Sequence, residues 1–201
     1  MFEDFPERII PYDYDAYFSN PDRFVIVTTN CLTGEAEYLE EKSDPGRVMD
    51  IVRASSSLPF VSRITYVDGI PMLDGGIADS VPVEYAFSQG YDRMVVVLTR
   101  NKGYRKKDGT MPLSRIIYRK YPLLHKALSK RNSLYNKTMD RIERLEEDGR
   151  IIVIRPQKPV EVGRMEKDTV RLSALYDEGY AVASAALPQI RRIELLRNNQ
   201  E

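Results

Sequence analysis

Two aspartate–glycine turns, Asp68-Gly69 and Asp74-Gly75-Gly76, stand at the two ends of one short apolar segment. Ile64 to Val67 and Pro71 to Leu73 flank the first turn, and this arrangement predicts a β-hairpin. The second turn follows the hairpin directly, so the chain must leave a strand through residues with almost no side-chain bulk. A helix is then expected from about Val81 to Gln89, stopped by Gly90. Met94-Val95-Val96-Val97-Leu98-Thr99 is a continuous apolar strand of the kind found inside a parallel sheet. Strand, helix and strand in that order imply a right-handed crossover.

The remaining pattern extends this reading. Arg23 to Cys31 is β-branched and mostly apolar and reads as a buried strand. Thr33-Gly34 reads as a turn, and Glu35 to Leu39 as a second strand pairing back. Ser43-Asp44-Pro45 is a helix start, with Val48, Ile51 and Val52 on one face of the helix that follows. A helical stretch is expected from Leu113 to Glu147 with a break near Tyr121-Pro122, because proline removes a backbone donor. Ile151 to Ile154 reads as a buried strand. A last helix is expected to begin near Asp168-Thr169, with Gly179 and Pro188 weakening it. The fold class is α/β: a mainly parallel sheet core with flanking helices and a helical C-terminal part. The expected organisation is one α/β portion over 1–100 and a helical and strand extension over 101–201 that packs on it.

The chain has 201 residues, enough for a real core, and no apolar run near the length of a membrane span. Its opening residues lack the basic-then-apolar form of a secretory signal. Cys31 is the single cysteine, so no internal disulfide can form, and a cytoplasmic setting is expected. Formal charge cancels to zero, yet it is unevenly placed. From Arg100 to Arg131 there are eleven basic residues, Lys106, Lys107, Arg119 and Lys120 among them, and one acid, Asp108. Such a block reads first as a solvated helix face. With Tyr104, Ile116, Ile117, Tyr118, Tyr121, Leu123 and Leu124 interleaved, it also suits an anionic membrane surface. No nucleic-acid motif is present, so nucleic acid ranks below lipid.

Arg53-Ala54-Ser55-Ser56-Ser57-Leu58-Pro59-Phe60 followed by Leu73-Asp74-Gly75-Gly76 resembles the second half of bacterial patatin-like phospholipases. Asp79-Ser80-Val81-Pro82-Val83, the valine-rich strand and Leu175-Tyr176-Asp177-Glu178-Gly179-Tyr180 follow in the family's order. The resemblance implies a serine–aspartate dyad that hydrolyses a lipid or phospholipid ester without a cofactor or metal. It places Asp74 as the base, and Gly75 and Gly76 in the active-site loop. A serine hydroxyl is a poor nucleophile until a base takes its proton, and the tetrahedral intermediate needs fixed N–H donors. A carboxylate does this best when desolvation raises its pKa. The chain contains no G-x-S-x-G and no glycine-rich oxyanion loop. It is therefore expected to be an incomplete patatin-like fold, truncated and inactive alone, with a sheet edge that invites self-association.

Each candidate has a plainer reading beside it. Asp74 can cap a turn, and Asp68 is a hairpin residue. Asp79 and Ser80 read as polar groups at a helix start. Ser55, Ser56 and Ser57 read as small residues at a helix end, since no elbow glycines flank them. His125, the single histidine, is the one residue a Ser-His-Asp triad could use, and reads as structural. Cys31 reads as a small buried residue. The four-ligand spacing of a zinc site is absent. The alternatives to the hydrolase are a non-catalytic lipid- or protein-binding module and, below it, a nucleic-acid-binding domain.

Overall fold

A computed structural model describes residues 10–107, 109, 112–163 and 166–198. The chain divides into two compact units, residues 1–82 with 107–135, and residues 83–106 with 136–201.

The first unit is built on a four-stranded sheet of order β2-β1-β4-β3. Its strands are β1 (Ile26–Asn30), β2 (Ala36–Leu39), β3 (Thr65–Val67) and β4 (Ile70–Asp74), after a short helix α1 (Tyr14–Ser19). Asp68 and Gly69 both take positive φ, 52° and 77°, as a tight turn between twisted strands requires. β3 and β4 are thereby held antiparallel, with Thr65 opposite Met72 and Val67 opposite Ile70. Helix α2 (Pro45–Ser55) starts on Asp44, whose carboxylate accepts from the N–H groups of Gly46 and Arg47. Its buried face is Val48, Ile51 and Ala54, one turn apart.

Alternation along β4 divides the core. Met72 joins Ile51, Ala54 and Val67 beneath α2. Leu73 joins Cys31, Ile77, Tyr118, Leu124 and Leu128, the last three from the segment holding α4 (Pro112–Ile117) and the start of α5 (Pro122–Glu147). The sheet is thus covered on both faces within this unit. Each such fully buried aliphatic side chain contributes about 1.5–3 kcal/mol.

The second unit contains α3 (Val83–Ser88), β5 (Met94–Val97), β6 (Ile151–Ile154), the rest of α5 and α6 (Thr169–Asn198). β5 and β6 are parallel, in register from Met94 opposite Ile151 to Val97 opposite Ile154. Val96, Leu98, Met139, Ile142, Leu145 and Ile151 are buried, and α6 packs on β6. Arg105 bridges Asp140 and Glu143 of α5 at 2.6 and 2.8 Å, and Arg155 pairs with Glu146.

The α/β class stands, and the parallel core is met only in part. The four-stranded sheet is antiparallel throughout, and β5–β6 is the parallel pair among the described residues. Both hairpin turns force reversal, and β1 then pairs antiparallel with β4. The expected crossover from β4 through α3 to β5 does not join strands of one sheet. Instead the chain crosses from β5 to β6 by way of α4 and α5. The apolar run of β5 is also not enclosed on both faces: Val95 and Val97 are exposed while Val96 is buried.

Candidate active site

Asp74 is the last residue of β4, opposite Thr28 of β1. Its position is fixed by backbone bonds on both sides. Its N–H donates to the Ser57 carbonyl at 3.0 Å, and its carbonyl accepts from Thr29 Oγ1 at 2.9 Å. Thr28 and Thr29 are wholly buried. The segment Ser55–Ser57 therefore does reach the aspartate, through backbone rather than through a hydroxyl.

The Asp74 carboxylate is half-buried and caps the 3-10 turn Gly75–Ile77, with Oδ1 accepting from the Gly76 N–H at 2.7 Å. Among the described residues no donor reaches Oδ2. The plain reading of Asp74 as a turn cap thus holds for one oxygen, and the other has no described donor.

Gly75 and Gly76 serve different ends. A Cβ on Gly75 would lie 2.3 Å from the Val27 carbonyl oxygen, so glycine is demanded here by β1. A Cβ on Gly76 would lie 3.0 Å from Asp74 Oδ1, so glycine there keeps space beside the carboxylate. Around Gly76 the next atoms are Ser80 Oγ at 3.6 Å and Arg131 Nη2 at 3.8 Å, whereas at Gly75 strand β1 itself is the neighbour.

The rest of the loop is tied down. The Gly75 carbonyl accepts from Ala78 and Asp79 N–H at 3.1 and 2.8 Å. The Gly76 carbonyl accepts from Ser80 Oγ and from Arg131 Nε, each at 2.9 Å. Tyr38 Oη donates to Asp79 Oδ2 at 2.7 Å. Asp79 and Ser80, expected to start a helix, instead brace the aspartate loop, because α3 begins only at Val83. Arg131 and Tyr38 carried no local signal in the sequence. Arg131 appeared only as one cation of the basic block, and contact across 55 residues has no pattern to betray it.

The other candidates are occupied elsewhere. Ser55 Oγ donates to the Val27 carbonyl, Ser56 Oγ to Val52 and Ser57 Oγ to Arg53. Asp68 holds an ion pair with Arg47 at 2.8 Å, whose hydrogen bond keeps its carboxyl below the usual range. His125 Nδ1 lies 2.6 Å from Ser114 Oγ, a buried hydroxyl. No described contact joins His125 to Asp74, so no triad forms through it. Burial pushes the Cys31 thiol up to about 12, which keeps it protonated and unreactive. Among the described residues no cluster of three His, Cys, Asp or Glu could hold a metal, and no helix is long and apolar enough to cross a membrane.

Residues 5–87, which include the whole aspartate loop, match the patatin-like phospholipase family. This part of the chain is similar to patatin-like phospholipases. Residues 121–194 match a domain of unknown function. An uncharacterized protein of Escherichia coli (strain K12), YjjU, is 44% identical over 52 residues. That match spans 25% of this chain and 15% of the relative. The matched segment ends within α3, so Asp74, Gly75 and Gly76 fall inside it and Arg131 outside.

Proposed function

We propose that Asp74 is the general base of a serine–aspartate dyad that cleaves a lipid or phospholipid ester. The serine and the oxyanion donors are supplied by sequence outside these 201 residues, which encode no G-x-S-x-G. The observation that carries this reading is the division of labour within one carboxylate. Oδ1 is committed to the Gly76 N–H, which fixes the group, and Oδ2 is open, on a loop braced at nearly every polar atom. The similarity of residues 5–87 to patatin-like phospholipases supports the substrate class.

In this reading Oδ2 takes the serine proton as the serine oxygen attacks the ester carbonyl. The protonated aspartate returns that proton to the departing alcohol as the tetrahedral intermediate collapses. Water then attacks the acyl-serine, with Asp74 again accepting and returning the proton. A positioned base of this kind supplies about 10²–10⁴-fold in rate.

The 201-residue chain alone should leave p-nitrophenyl esters unhydrolysed above a buffer blank. It should also resist labelling by a fluorophosphonate serine probe. Stoichiometric labelling at Ser55, Ser56 or Ser57 would overturn the proposal, since it would place a nucleophile inside the chain.

A further inference from the structure

The basic block splits in two on folding. Its first part is neutralised in the second unit: Arg105 by Asp140 and Glu143, and Lys102 by Glu146 and Glu147. Its second part belongs to the first unit, where no described carboxylate pairs with it. Between Asp108 and Tyr135 the sequence contains six basic residues and no acid. Arg115, Arg119 and Lys120 on and after α4 are exposed, as is Arg63, and no described carboxylate pairs with any of them.

The same region exposes large apolar side chains. Ser114 and Tyr118 form the buried stripe of the α4 segment, which turns Ile116 outward at 71% exposure, with Leu113 and Ile117 beside it. The loop after α2 adds Phe60 and Val61, the latter 82% exposed. Loop and helix are fastened together. The Phe60 N–H donates to Tyr118 Oη at 2.8 Å, and the two rings lie 5.5 Å apart. Phe60 holds a φ of 69°, a region that a residue with a side chain rarely adopts. The fold thus holds an aromatic residue in a disfavoured conformation and leaves a bare valine next to it. Through Ser57, whose carbonyl accepts from Asp74 N–H, this loop leads directly into the aspartate site.

We infer that the Phe60–Val61 loop and helix α4 form a docking surface for an anionic lipid membrane. Val61 and Ile116 enter the acyl boundary, and Arg63, Arg115, Arg119 and Lys120 meet the phosphates. Charge decides the occupant. The exposed charges of this loop and helix, Arg63, Arg115, Arg119 and Lys120, are all cations and repel a second copy, and exposed aliphatic tips beside them in the chain match an interface with apolar depth below an anionic layer. Nucleic acid would offer the phosphates but nothing for Val61 and Ile116 to enter. This inference does not rest on the hydrolase reading, and it can be tested on the chain alone.

The experiment is co-sedimentation of the 201-residue protein with vesicles of phosphatidylcholine and phosphatidylglycerol in a two-to-one ratio, and with phosphatidylcholine alone. Binding should require phosphatidylglycerol. Arg115→Gln, Arg119→Gln and Lys120→Gln together should weaken partitioning about a hundredfold at low salt, each surface cation being worth about fivefold. That loss should shrink as the Debye length falls to about 8 Å at physiological ionic strength. Val61→Asp with Ile116→Asp should weaken binding about tenfold or more at any salt. Both positions are exposed, so the fold should survive, as circular dichroism will show. Val170→Asp, at a site 77% exposed in the other unit, should bind as the parent does. Three results would overturn the assignment: no vesicle binding by the parent, parent-like binding by the Val61 and Ile116 variant, or retention on RNA but not on vesicles at the same salt.

Discussion

Gly75 packs against Val27 so tightly that a methyl group on it would lie 2.3 Å from the Val27 carbonyl oxygen. That oxygen also accepts from Ser55 Oγ at 2.8 Å. Strand β1, the end of α2 and the aspartate loop therefore meet at one atom. Gly75→Ala should destabilise the protein by about 3 kcal/mol, since backbone and not a flexible side chain must move. Gly179→Ala, in a helix with nothing within 4 Å of the added methyl, should instead be neutral or stabilising by up to about 1 kcal/mol. Urea denaturation of the two variants makes the comparison; equal midpoints would show that the loop can yield.

Arg131 reaches the same loop from α5, donating from Nε to the Gly76 carbonyl at 2.9 Å. Arg131→Met should cost about 1–2 kcal/mol and raise amide hydrogen exchange over residues 76–79. Arg131→Lys should resemble Arg131→Met, because an ammonium cannot reproduce the planar guanidinium fork. Unchanged exchange in both variants would remove Arg131 from the bracing of the loop.

Glu41 gives the first unit a pH dependence of known sign. Hydrogen bonds from the Ser43 backbone N–H, the Ser43 hydroxyl and the Asp44 N–H, together with Arg47, hold its carboxyl down at about 2. A carboxylate depressed in the folded state stabilises it above the unfolded pKa, and that stability is lost as pH falls through the folded value. The window therefore runs from about 4.3, the unperturbed glutamate value, down to about 2. Glu41→Gln should lower stability at neutral pH and flatten the acid limb in this window. An acid limb identical to the parent's would show that other carboxylates dominate.

Local signals in the sequence translated into structure where one residue type has one physical use. Asp68-Gly69 is a hairpin turn because both residues tolerate positive φ. Asp44-Pro45 starts α2 through a carboxylate cap and a proline that lacks a donor anyway. Pro122 opens α5, separating it from α4 at the expected break. What the pattern could not carry was pairing between distant segments. An apolar run marks Met94–Val97 as a strand but does not say that it has β6 beside it, or that Val97 will be exposed. Asp74 was legible as a turn residue with two glycines. That Gly75 answers to Val27 and Gly76 to the carboxylate is a matter of which strand lies alongside. Asp79, Ser80 and Arg131 were visible as polar or basic residues, but their convergence on one loop depends on tertiary contacts 41 and 55 residues apart in two of the cases, from Tyr38 and Arg131.

The most direct test of the account is ester hydrolysis by the protein form that carries a serine elbow together with these residues, comparing Asp74→Asn with Asp68→Asn. The amide oxygen of asparagine can still accept from the Gly76 N–H, so the turn and the fold should persist, while the basicity at Oδ2 is lost. Asp74→Asn should lower kcat by at least about 10²-fold, the lower end of what a positioned base supplies, with KM changing less. Asp68→Asn loses its ion pair with Arg47 on the hairpin surface and should leave kcat nearly intact. Equal and small losses in two folded variants would contradict the account and leave Asp74 as a turn cap alone.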